Sequence, residues 1–168
     1  VWSVATLVAI GCLIRVANAG PLDEMSLERW AKLREVERYQ LQIAEKYYRE
    51  QNWKTAVGEY EKFLTLYEQS EGAPYCQFKW ALCQVHLKKV NTAIKDGFQT
   101  VIDYWPESPE ATSSAFLIGK SWKDIGETKK AKVALNDVVK KHPKHLVAAL
   151  AIGDLLEIAQ TENDDQAR

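Results

Sequence analysis

The sequence predicts an all-helical fold: an α-solenoid of about three stacked helix pairs, preceded by a long N-terminal helix and closed by a terminal capping helix. Three observations lead there. Ala56, Ala93 and Ala131 recur 37 and 38 residues apart, each inside the same apolar frame, and a period of about 20 to 50 residues marks units that bury their faces against one another. Apolar residues recur at three- and four-residue intervals over most of the chain. The 5 prolines and 8 glycines fall mainly between those stretches, where breakers mark turns. With 168 residues, 46% of them hydrophobic, the chain is long enough to bury a continuous core. A formal net charge of -1 gives no global attraction to nucleic acid or anionic lipid, both of which need an excess of Lys and Arg.

Residues 1–19 read as a secretory signal peptide. Val1 to Ile14 is apolar apart from Ser3 and Thr6, and Ala17, Asn18 and Ala19 form a small-x-small cleavage site before Gly20. The run falls short of the roughly 20 residues a membrane span needs, which favours cleavage over retention as an anchor. Ala9, Ile10, Gly11 and Cys12 also approach the signal for lipid attachment at a cysteine, so acylation at Cys12 is the alternative to soluble export. The chain opens at Val1 without a methionine or a basic leader, and on that ground it reads as a fragment or a mis-started reading frame.

The remainder divides into a helical extension over 20–36, a repeat domain over 37–160 and a polar tail over 161–168. Asp23 to Tyr48 lacks Gly and Pro and carries Met25, Trp30, Leu33, Val36, Tyr39, Ile43 and Tyr47 at helical spacing, which predicts one long helix. Its first half mixes both charge signs, as an exposed helix does. That helix caps the solenoid or, alternatively, forms a short coiled coil with a second copy.

The repeats follow in order. The first supplies Ile43, Ala44, Tyr47, Ala56, Tyr60 and Phe63, with Asn52 placed to cap a helix beginning at Trp53. The second gives Trp80, Ala81 and Ala93 in register but sets Gln84, Gly97 and Thr100 at interior positions, which predicts a thinner core. The third offers Ile118, Gly119, Trp122, Ala131, Leu135, Val138 and Pro143, with Gly119 and Ala131 expected at the helix crossing. Ile152, Gly153 and Leu156 then begin a fourth unit with no second helix after it, so further repeats are expected beyond Arg168. The acidic tail from Thr161 is expected to fray.

This succession of small and large residues resembles the tetratricopeptide repeat family, which implies a right-handed superhelix and a non-catalytic protein-binding role. Tyr104, Trp105, Pro106, Glu107, Ser108, Pro109, Glu110 and Ala111 resemble the connector of exported bacterial members, which include the outer-membrane assembly lipoprotein and the Tol-Pal coordinator protein. Ser108 is placed to cap the next helix and Pro109 to occupy its first turn. In the family the first helices line a concave groove. Here that implies Arg38, Leu41, Glu45, Tyr48 and Arg49 from the first pair, then Tyr75, Phe78, Leu82, Val85 and His86, then Ser113, Phe116, Lys120, Lys123 and Asp124.

The candidate partner-binding residues are Arg38, Tyr48, Arg49, Tyr75, Phe78, His86, Phe116, Lys120 and Lys123. Rings flanked by cations suit a protein or peptide with apolar anchors and acidic groups. Phe78 and Phe116 have a second reading as core between repeats. A basic run over 120–145, eight lysines against Asp124, Glu127 and Asp137 for a balance of +5, reads as a solvated convex face or as a patch for an anionic partner.

No catalytic motif, phosphate loop or zinc-binding spacing occurs, so no enzyme, cofactor or metal is expected. Cys76 and Cys83, seven apart on one helix, lie about 10 Å apart and too far for a disulfide, so both are expected to serve as small core residues. The functional expectation is a protein-protein interaction scaffold of the bacterial cell envelope; the alternative is a segment of a larger outer-membrane assembly or cell-division factor. Gly119→Leu is expected to force the third pair apart, and Lys123→Glu to spare the fold.

Overall fold

A computed structural model describes residues 22–166, and the signal peptide expected over 1–19, Cys12 included, lies outside the described residues. The described residues are helical and form an α-solenoid, with no strand among them. A short helix α1 (Leu27–Lys32) leads into the first pair, α2 (Glu35–Arg49) and α3 (Trp53–Leu66). The second pair is α4 (Ala73–His86) against a composite helix of α5 (Val90–Thr92), a π-helical turn (Ala93–Phe98) and α6 (Gln99–Tyr104). The third is α7 (Pro109–Asp124) with α8 (Thr128–Lys141), and α9 (Leu146–Gln166) packs on α7 and α8.

The single long helix expected over Asp23 to Tyr48 is broken at Leu33 and Arg34, both in extended conformation. Neither Gly nor Pro is involved; side-chain bonding and burial override the helical period. Ser26 Oγ caps α1 by accepting from the Arg29 N–H at 3.3 Å. Glu37 opens α2 by accepting from the Arg34 N–H at 2.7 Å and from its guanidinium, as in a capping box. Leu33 turns inward until it is 3% exposed, filling space beside Phe63 that a Cβ on Gly72 would contest.

Each helix pair reverses through the same device. Gln51, Lys88 and Gly126 hold φ of 57°, 63° and 80°. At each, the following N–H reaches back to the carbonyl of Tyr47, Gln84 or Trp122 at 2.9 Å. This is the Schellman closure, which satisfies carbonyls left free at a helix end by placing one residue in the left-handed region. These three turns keep the 37- and 38-residue spacing of the alanines.

The second pair solves its thin interior with the π-helical turn. One extra residue in that turn advances the register, so Phe98 and Val101 are fully buried where Gly97 and Thr100 were expected to face inward. Gly97 instead meets α4 so closely that a Cβ there would lie 2.4 Å from Ala81 Cβ. In the third pair a Cβ on Gly119 would lie 2.7 Å from Leu135 Cδ2, so the crossing is set by Gly119 against Leu135.

Asn52 and Ser108 cap α3 and α7 through Thr55 N–H and Ala111 N–H, and Pro109 opens α7. The core runs through three apolar clusters, joined where Trp80 packs on the first and second and Leu117 on the second and third. α9 continues to Gln166 in place of a frayed tail from Thr161, held by an ion pair from Lys132 to Glu162 and by Thr161 Oγ1 donating to Glu157 O at 3.0 Å. Ile152 and Leu156 lie on its exposed side, 45% and 60% accessible.

Candidate partner-binding face

The first helices α2, α4 and α7 present one face of the stack, and at its centre sits a lysine that sequence reasoning missed. Lys79, on the otherwise apolar stretch Phe78 to Cys83, has a side chain only 3% exposed. A buried ammonium needs partners, and these converge from three directions. Its Nζ lies 3.4 Å from the centre of the Tyr48 ring, 3.7 Å from Glu45 Oε1 and 3.5 Å from Asp23 Oδ2. It donates to the Asp23 carbonyl at 3.3 Å. The Tyr60 and Tyr75 hydroxyls lie 2.6 and 3.0 Å from Glu45 Oε1. Burial pushes the hydroxyls of Tyr48, Tyr60 and Tyr75 above the ordinary phenol range, and the Glu45 carboxylate adds to the shift.

Asp23 does not belong to any of these helices. It comes from the segment before α1, which crosses the face. Tyr75 donates to the Asp23 carbonyl at 3.2 Å and Tyr48 to its carboxylate at 3.4 Å. Leu22 packs on the third core cluster, and Met25 and Trp30 on the first. Arg29 pairs with Glu110 at the start of α7 and donates to Glu71 O at 3.2 Å. Glu110 is 4% exposed and its second oxygen, Oε2, has no hydrogen-bond partner.

The structure therefore sorts the predicted groove residues. Tyr48 and Tyr75 meet at Lys79, as just described. Phe78 is fully buried against Phe98, with ring centres 5.8 Å apart, and Phe116 lies in the third cluster at 5% exposure, so both take the core reading. Arg38 turns back to the Leu33 carbonyl at 2.7 Å, where it secures the break before α2. Arg49 and His86 are exposed, and the His86 ring stacks on Trp53 at 4.0 Å between centres. Burial and the nearby Lys88 charge lower the His86 pKa.

Lys120 reaches Asp124 at 3.9 Å. Lys123 is already engaged by Asp154 and Glu157 of α9, the latter at 2.7 Å. Reversing its charge therefore attacks the α7–α9 contact, and the expectation that Lys123→Glu spares the fold is corrected.

Cys76 and Cys83 are free and buried, and burial pushes the Cys83 thiol up to about 12. On the opposite side of the third pair, Lys130, Lys132 and Lys141 of the basic run pair with Glu127, Glu162 and Asp137. Trp122, Lys129, Val133 and Lys140 line an open depression of about 870 Å³ there. Among the described residues no group of three His, Cys, Asp or Glu side chains is arranged to hold a metal ion, and no helix is long and apolar enough to cross a membrane.

Residues 75–108 and 113–145, the second and third helix pairs, match the family model described as tetratricopeptide repeat. Repeats of this kind mediate protein-protein contacts and are typically non-catalytic. No curated protein matches the chain.

Proposed function

We propose that this protein is a non-catalytic scaffold of the bacterial cell envelope that holds a partner protein or peptide on the face of its first helices. The observation that carries this reading is the convergence of Tyr48, Tyr75 and Lys79 on Asp23, in the turn ahead of α1: Tyr75 and Lys79 reach its main-chain carbonyl and Tyr48 its carboxylate. A phenol hydroxyl and an ammonium that grip a main-chain carbonyl, beside a second phenol on the carboxylate, do what a peptide-binding groove does. The match of two helix pairs to the tetratricopeptide repeat supports the same class of function. Export to the envelope rests on the small-x-small site at Ala17 to Ala19 and on the resemblance of the Tyr104 to Ala111 connector to that of exported bacterial members.

The test is affinity capture from an envelope extract with the full chain, comparing wild type with an Arg49→Glu, His86→Ala, Lys120→Glu variant. None of these three side chains is buried, so the fold is retained. A protein captured by wild type and lost from the variant is the expected result. A capture unchanged by the variant overturns the placement of the groove.

A further inference from the structure

The inner face already carries an occupant. Between Leu22 and Lys32 no residue is buried, and Leu27 is 86% exposed. Beneath this segment lie groups that are almost wholly enclosed: Lys79, Tyr75 and Glu110 at 2%, 4% and 4% exposure. A core element buries its own side chains, whereas this strap covers polar and charged groups of the groove while its own residues are at most partly buried, Leu22, Met25 and Trp30 resting on the edges of the core clusters.

Two subsites define what it offers. At one, Lys79 and the hydroxyls of Tyr48 and Tyr75 take the backbone carbonyl and carboxylate of Asp23. At the other, Glu110 takes the guanidinium of Arg29, and its Oε2 stays buried without a partner, one acceptor more than the strap fills. Leaving such an acceptor unmet is unfavourable, so the groove is not fully matched by the strap that lies in it.

We propose that residues 22–30 act as an intramolecular pseudo-ligand, and that the groove's partner is a peptide with the same chemistry, displacing the strap when it binds. That chemistry is a carboxylate in a turn and an arginine six residues further on in the short helix that follows, each flanked by a large apolar side chain. The inference rests on the scaffold reading and adds its regulation. Because the strap is tethered directly to α2, its effective concentration is on the order of millimolar. A partner making only equivalent contacts is outcompeted, and one that also satisfies Glu110 Oε2 prevails.

The probe is a dye-labelled peptide of residues 22–33, followed by fluorescence anisotropy against the full chain and against an Asp23→Lys, Arg29→Glu variant whose strap no longer fits. The peptide is expected to bind the variant about tenfold more tightly than wild type, because apparent affinity scales with the open fraction. Equal binding to both proteins, or binding to neither, overturns the proposal. Hydrogen exchange on the unaltered chain gives an independent reading. Amides of Arg29 to Leu33 are expected to exchange by local opening, faster than those of α3 and α4; exchange only with global unfolding overturns it. A groove-dependent partner captured from extract while the peptide fails in both measurements would sink this inference and leave the scaffold reading standing.

Discussion

Lys79 shows how a single side chain organises the inner face. It joins Glu45 of the first pair, the Tyr48 ring and Asp23 of the strap, so removing it leaves the Glu45 carboxylate without its cation. Lys79→Ala is expected to lower stability by about 3 kcal/mol, read from urea unfolding, because breaking an enclosed pair strands the remaining charge. Lys79→Arg is expected not to restore it, since a planar fork does not fit over the Tyr48 ring as a compact ammonium does. The lysine was visible in the sequence as a lone charge between Phe78 and Trp80, but its partners were not, because Asp23 and Glu45 reach it from 56 and 34 residues away.

The tyrosines around Lys79 make the fold sensitive to alkali. Tyr48, Tyr60 and Tyr75 have folded pKa values raised above the ordinary 10.0, first by burial. A group raised in this way contributes stability that is fully present below its unfolded pKa and lost as pH rises toward the folded value. Lys123 acts in the same direction: burial opposes its charge, but Asp154 and Glu157 outweigh that and raise its pKa above 10.5. Stability is therefore expected to fall from about pH 10 upward. Phenolate absorbance and circular dichroism, titrated together, should show these tyrosines ionising only as helicity is lost.

At the scale of the helix and its turn, small residues separate into two kinds. Gly119 and Gly97 are held at crossings with no room for a Cβ. Gly58 and Gly153 lie in helix interiors with nothing within 4 Å of that position. Gly119→Leu is expected to part α7 from α8 and lose helicity by circular dichroism. Gly58→Ala is expected to raise stability by about 0.5 to 1 kcal/mol through reduced freedom of the unfolded chain. The reversals carry a parallel prediction: Lys88 holds φ of 63°, where a side chain is disfavoured by about 1 kcal/mol, so Lys88→Gly should raise the thermal midpoint.

Gly119 and the caps Asn52 and Ser108 were legible because each carries a local signature. The π-helical turn was not, since nothing in Ala93 to Phe98 marks an inserted residue until Phe98 has to find the core. The break at Leu33 was hidden for a similar reason: the apolar period runs through it, and only the Arg34 to Glu37 cap and the pocket beside Phe63 end the helix.

Across the whole molecule, the recurrence of Ala56, Ala93 and Ala131 was enough to read the stack of helix pairs, because neighbouring units need only a common spacing to pack. The strap was out of reach, since its contacts depend on which side of the finished stack the chain crosses. In a stack of this type each unit touches only those beside it, and such an array flexes like an open coil spring. The strap changes that mechanics. By reaching from Tyr48 in the first pair to Glu110 in the third, with Leu22 further along on the last cluster, it acts as a chord across a curved beam. The chord braces the stack from the first pair to the third, and its displacement by the proposed partner would free the helix pairs to flex against one another.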